Sequence, residues 1–171
     1  FIISRIKNHS CLAITLCTLF FALICSCSDK KPIKIGYMAG ITGRHSELAI
    51  GARNGVLLAV EELNDNGGIN GHPVELTVHD NRGLPSETAK IIESLITQRI
   101  PVIIGPLLSK MVPATIETCS NKDILIISPT ISTDLVKDLD DNFLRLIPES
   151  SFQGEAIATA VLAKKHKKIA I

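Results

Sequence analysis

The chain has 171 residues, 46% of them hydrophobic, with eighteen basic side chains against seventeen acidic ones and a net charge of +1. That composition excludes a disordered chain, and the missing positive field excludes nucleic acid as a partner. With five Phe, one Tyr and no Trp, the core must be built from Ile, Leu, Val and Ala, in one domain or one and a fraction.

A split near residue 28 divides the sequence. Arg5 and Lys7 precede an uncharged run from Ser10 to Ser28 that contains CLAITLCTLFFALIC. A basic stretch, an apolar stretch of about fifteen residues and small residues after it predict a secretory signal over 1–27, with a spanning helix as the alternative reading. Setting those residues aside leaves sixteen basic side chains against seventeen acidic ones. Cys11, Cys17, Cys25 and Cys27 all fall in this segment, which leaves Cys119 alone beyond it and no disulfide framework there. The stretch Ile24-Cys25-Ser26-Cys27 resembles a bacterial lipobox, although Cys25 is unusual at the middle position. The resemblance implies lipid attachment at Cys27 and a membrane anchor, with residues 28–32 as a polar tether; acyl chains hold a surface at about 0.8 kcal/mol per buried CH₂.

From Ile33 the hydrophobic period alternates between short apolar runs and longer amphipathic ones. Strands are predicted at Ile33–Met38, Val74–His79, Val102–Ile104 and Ile124–Ile127, each aliphatic and bounded by Gly, Pro, Asp or Ser. A helix over 49–65 places Val56, Val60 and Leu63 on one face and stops at Asn66-Gly67-Gly68. A second over 86–99 gathers Ala89, Ile92, Leu95 and Ile96, with Pro85 and Glu87 suited to its start. A third covers about 110–120, interrupted near its start by Pro113. The fold class is therefore α/β, a doubly wound parallel sheet with right-handed crossovers.

In such sheets ligands bind beyond the carboxyl ends of the strands. Four loops leave that edge: Ala39–Gly51, Asp80–Pro85, Gly105–Ser109 and Ser128–Thr133. They carry Thr42, Ser109, Ser128, Thr130, Ser132 and Thr133, hydroxyls suited to a small polar or zwitterionic ligand. Helix capping is the competing role for each of them.

The segments KIGYMAGITGRHSELAIGARNGVLLAVEELNDNGGINGHPVEL, VHDNRGLP, VIIGPLLSKMVPA and ILIISPTIS, in this order, resemble the Leu/Ile/Val-binding (type I) family of periplasmic solute-binding proteins that feed ABC importers. The resemblance runs from Ile33 to Ile171. It implies an N-terminal lobe over 33–146, the start of a second lobe over 147–171, a first crossing segment at Phe143–Ile147 and a helix at Glu149–Ala163. It also implies a two-lobe clamp that presents a small ligand, such as a branched-chain amino acid or an amide, to permease subunits outside the cytoplasm. By position, Ser109 would meet the ligand's carboxylate, Thr130 and Ser132 its backbone-like end, and Thr42, His45 and Ile50 its variable part. The first loop is longer than in amino-acid binders, which leaves the alignment of His45 and Ile50 open. Family members are roughly twice this length, so the chain, beginning at Phe1 and stopping in the apolar run Lys168-Ile169-Ala170-Ile171, is expected to be a fragment unable to form a closed cleft alone.

No phosphate loop, G-x-G-x-x-G, H-E-x-x-H or G-x-S-x-G is present, so no enzyme, cofactor or metal is expected. His9, His45, His72, His79 and His166 lack metal spacing and are expected on the surface, solvated or hydrogen-bonded. Cys119 is expected as a small buried residue, Asp80 as a turn cap, and Lys164–Lys168 as a basic helix end. Two other functions remain open: a sensor ectodomain of the same fold, and an α/β enzyme.

Overall fold

The computed structural model describes residues 30–137, 142–165 and 168. The signal segment, the lipobox with Cys27, His9, residues 169–171 at the end of the chain, and His166 and Lys167 of the basic cluster lie outside the described residues. The chain divides into Phe1–Lys31 and Pro32–Ile171; the second unit is described here.

Five parallel strands form one sheet in the order β2-β1-β3-β4-β5: β1 Ile33–Ala39, β2 Val74–Asp80, β3 Val102–Ile104, β4 Leu125–Ser128 and β5 Phe143–Arg145. Strands β1 and β2 pair over seven residues, from Ile33 opposite Val74 to Ala39 opposite Asp80. The helices are α1 Ser46–Asp65, α2 Pro85–Thr97, α3 Val112–Cys119 and α4 Ser150–Ala163, with 3-10 turns at Ser109–Met111 and Asp134–Val136. The chain passes from β1 outward to β2 and then returns to the other side of β1 as β3, which puts the topological switch between β1 and β3.

Alternation along each strand sends side chains to two cores. Met38, Ile103 and Ile126 meet Ile92 and Leu95 of α2 and Cys119 of α3 on one face. Tyr37 and Ala39 meet Ala49, Ala52 and Val56 of α1 on the other. Each fully buried Ile or Leu contributes about 1.5–3 kcal/mol by leaving water, but the core is not purely Ile, Leu, Val and Ala as expected: Tyr37, Met38 and Met111 are also fully buried, and the Tyr37 hydroxyl is satisfied by the Ala49 carbonyl. Beyond α1, that second face is open over β4 and β5, where Leu125 and Leu144 are exposed, and α4 buries none of its residues.

Helix α1 ends as its sequence predicts. Gly67 and Gly68 take φ of +91° and +72°, and their N–H groups donate to the carbonyls of Asn64 and Leu63 at 2.9 Å each. A Cβ on Gly68 would stand 2.1 Å from the His72 carbonyl oxygen, so only glycine fits. Pro85 opens α2, with Glu87 in its first turn.

Some expectations are corrected. Four strands become five, because residues 143–145 pair with β4 as an edge strand rather than serving only to cross out of the sheet. The third helix begins at Val112 rather than 110, since the preceding turn winds as 3-10. Leu63 lies at the exposed margin of α1, while Val56 and Val60 are partly buried. His79 is not a surface residue with a partner. It shares its face with Met38, its Nε2 is buried without a hydrogen-bond partner, and burial lowers its pKa from the ordinary imidazole value.

Candidate functional site

Because all five strands are parallel, the loops after β1, β2, β3 and β4 leave the same edge of the sheet. Side-chain chemistry joins them in pairs. The Asp80 carboxylate, at the end of β2, accepts from the N–H groups of Ile41 (2.9 Å) and Arg82 (2.9 Å), from that of Thr42 (3.3 Å) and from the Thr42 hydroxyl. Partial burial pushes its pKa upward, but the donors from Thr42, Arg82 and Ile41 outweigh it and hold the carboxyl below its ordinary value. Asp80 therefore caps its own turn and also clamps the loop after β1. Beside it, Asn81 Oδ1 accepts from Gly83 N–H (2.9 Å), and its amide donates to the buried hydroxyl of Thr88 (3.0 Å), which in turn donates to the Leu84 carbonyl (3.0 Å).

The loops after β3 and β4 are joined in the same way. Gly105 precedes a cis bond to Pro106, and a Cβ there would stand 2.0 Å from the Met38 carbonyl oxygen. The buried Ser128 hydroxyl donates to the Pro106 carbonyl (2.7 Å) and lies 3.3 Å from the Ile131 N–H, which donates to it. Thr130 donates its hydroxyl to the Leu107 carbonyl (2.8 Å). Leu107 packs with Ala39 and Ile41, which closes the gap between the loops after β1 and β3 at the switch point.

The six residues expected to bind ligand are thus all on or beside one edge, in different states. Thr42 has its hydroxyl committed to Asp80, and Thr130 has its own committed to Leu107. Ser132 is drawn toward the start of α4: its carbonyl accepts from the N–H (2.7 Å) and hydroxyl (2.9 Å) of Ser150, whose Oγ is 3.0 Å from its own. His45 is an exposed residue at the N-cap of α1 without a capping bond from its side chain, and Ile50 is exposed one turn further on. Ser109 is exposed, and neither its hydroxyl nor its N–H, nor the N–H of Thr130, bonds to any described residue. Thr133 accepts from Leu135 N–H as a cap (3.3 Å). Helix capping therefore accounts for Thr133 alone, while Thr42, Ser128 and Thr130 tie one loop to another.

Composition alone did not single out the residues that build this edge: Asp80 as a clamp, Asn81, Gly105, and Arg145, which donates to the Thr133 carbonyl (2.7 Å) and pairs with Glu149 (2.9 Å). The signal for the first two was the run His79-Asp80-Asn81-Arg82-Gly83, where two turn-forming side chains precede a glycine. No cluster of His, Cys, Asp or Glu able to hold a metal occurs among the described residues. A cavity of about 210 Å³ lined by Thr115, Ile116, Cys119 and Phe143 lies at the opposite, amino edge. Burial raises the Cys119 thiol there to about 11, which makes it unreactive.

The model of a family described as periplasmic binding protein matches residues 32–171. The Leu/Ile/Val-binding protein BraC3 of Rhizobium johnstonii is 30% identical over 141 residues, which is 81% of this chain and 38% of that protein. A chemotactic signal transduction substrate-binding protein of Halobacterium salinarum, BasB, is 28% identical over 77% of this chain and 34% of its own length. Among solved structures, the branched-chain amino acid transporter substrate-binding protein LivJ of Streptococcus pneumoniae, in complex with isoleucine, superposes with a TM-score of 0.71 and 30% identity, over 77% of this chain and 38% of that one. The chain thus spans well under half the length of these relatives.

Proposed function

We propose a function from one premise: this chain belongs to the periplasmic binding protein family, whose members are extracytoplasmic solute binders and not enzymes. On our reading it supplies the first jaw, residues 33–146, of the binding component of an ABC-type importer, with residues 147–171 leading into a second jaw. The ligand is a small polar molecule such as a branched-chain amino acid or an amide, and permease subunits are its downstream partner. Residues 1–27 direct export, and a lipid on Cys27 holds the protein at a membrane surface.

One observation carries the reading of the site. At the switch point, where folds of this kind bind their ligands, the Ser109 hydroxyl and the N–H groups of Ser109 and Thr130 are among the donors that no described residue engages. They suit a carboxylate, with Ser132 beside them and Thr42, His45 and Ile50 toward the variable end of the ligand. Closure needs no bond-breaking group. A ligand that binds the closed clamp better than the open one shifts the population by that difference. The similarity to a chemotactic binding protein favours one second reading, a sensor whose closure is relayed to a signalling partner.

Calorimetry on the full-length protein with a panel of branched-chain and acidic amino acids, amides and urea tests this. Ser109→Ala is expected to weaken the ligand found by about 1.5–3 kcal/mol, the yield of a hydrogen bond to a charged group. An unchanged dissociation constant would reduce Ser109 to part of the turn. If no panel member binds or raises the melting temperature, the importer reading fails.

A further inference from the structure

The loops near the switch point carry an excess of uncompensated positive charge. Arg44, Arg82 and Lys110 are exposed, one on each of the segments that follow β1, β2 and β3, and none of them forms an ion pair with a described residue. They adjoin one another through two glycines. A Cβ on Gly43, next to Arg44, would stand 3.9 Å from the Arg82 carbonyl oxygen. The Lys110 ammonium stands 3.8 Å from the corresponding point on Gly83, next to Arg82. Arg82 and Gly83 both have positive φ, +52° and +64°, and Leu84 N–H donates back to the Asn81 carbonyl (2.8 Å), so a tight turn fixes this tip. His45 lies beside Arg44.

The acids nearby do not neutralise the belt. Asp80 keeps its negative charge, but its four donors turn it inward to the loops it clamps. Glu87 is engaged by Lys90 at 2.8 Å and feels Arg82 only as a further charge. Among the described residues of these three segments, Glu47 is the exposed carboxylate without an ion pair or a hydrogen-bonded clamp. Three cations against two carboxylates, Asp80 and Glu47, leave these segments net positive by one charge, adjacent to Ser109 and on the side assigned above to the ligand's variable part. A purely aliphatic side chain gains nothing from such a field, whereas a second carboxylate does.

We propose that the ligand is an amino acid whose side chain ends in a carboxylate, held at its α-carboxylate by Ser109 and at its side-chain carboxylate by Arg82 and Lys110, with Arg44 alongside. This rests on the reading of the edge as a ligand site. The test is calorimetry on the full-length protein with L-glutamate and L-aspartate against L-leucine and L-isoleucine, repeated for the double variant R82Q/K110Q. Neither side chain donates a hydrogen bond to a described residue, and the melting temperature without ligand checks that the variant folds. An acidic amino acid is expected to bind about tenfold or more tighter than leucine. The ratio should fall in the variant by about two- to fivefold per cation removed, the yield of an exposed charge pair, and also when salt is raised and the Debye length shortens. Tighter binding of leucine or isoleucine, or an acidic preference that the variant leaves intact, overturns the inference and leaves the importer reading standing. Binding of an amide or urea with no amino acid bound overturns the inference alone, and failure of amino acids, amides and urea together overturns both.

Discussion

Replacing Asp80 with Asn tests whether one carboxylate holds two loops together. In the native chain Oδ1 accepts from Ile41 and Arg82 at 2.9 Å and from Thr42 at 3.3 Å, and Oδ2 from the Thr42 hydroxyl. Asn keeps one oxygen for the N–H groups but removes the charge that strengthens those bonds. A charge-assisted bond contributes about 1.5–3 kcal/mol against about 1 for a neutral one. Two good bonds and one long one, at a partly exposed site, then lose about 1.5–3 kcal/mol together. For a unit of this size that lowers the melting temperature by about 5–10 °C. The pH dependence gives the sign. A carboxyl whose folded pKa lies below its unfolded value contributes stability that is complete above the ordinary carboxylate range and is lost as the pH falls through the folded value. Thermal melts of Asp80→Asn and the native chain should therefore differ most near pH 7 and converge below about pH 3. A gap under about 2 °C at neutral pH, or one that does not change between pH 7 and pH 3, would refute the clamp.

Gly105→Ala should destabilise by about 3 kcal/mol or more, because its φ of +112° is strained for Ala and the new methyl would overlap the Met38 carbonyl; loss of the cooperative melt or a large drop in its midpoint is the expected record. Ser128→Ala, which leaves the Pro106 carbonyl without its donor, should cost about 1–3 kcal/mol of stability in denaturant titration, whereas Ser109→Ala should leave that titration unchanged. Equal losses in the two would contradict the division between buttressing and unused hydroxyls. Cys119, buried and with its thiol raised to about 11, should resist alkylation at pH 8 until the protein unfolds, so modification that outpaces unfolding would show the pocket to be open.

What the sequence made legible is what a local period encodes. The boundaries of β1, β2 and α2 fall within two residues of their predicted ends, because apolar spacing, Pro85 and the glycine stop at 67–68 act over a single turn. The shared edge was legible as well, since parallel strands joined by helices send their following loops the same way. Strand β5 was missed because three residues carry no period, and only their pairing with β4 makes them a strand. The state of the hydroxyls was equally hidden. Thr42 and Asp80 are thirty-eight residues apart and Ser128 and Pro106 twenty-two, so nothing near Thr42 or Ser128 in the chain announces its acceptor. His79 reads as one member of an alternating strand, and the burial of its Nε2 is set by tertiary packing that the strand's own residues do not encode.

The inward turn of Ser128, Thr130 and Thr42 has a further outcome for how this surface can change over generations. With those hydroxyls spent on scaffolding, much of the donor capacity left at this edge, beside the Ser109 hydroxyl, is main-chain amide, which every residue other than proline supplies. Substitutions that preserve the path of the chain leave those amides in place, so grip on a shared chemical handle can persist while the letters drift. Discrimination among molecules bearing that handle then falls to the few exposed side chains around it, which are free to be rewritten one at a time.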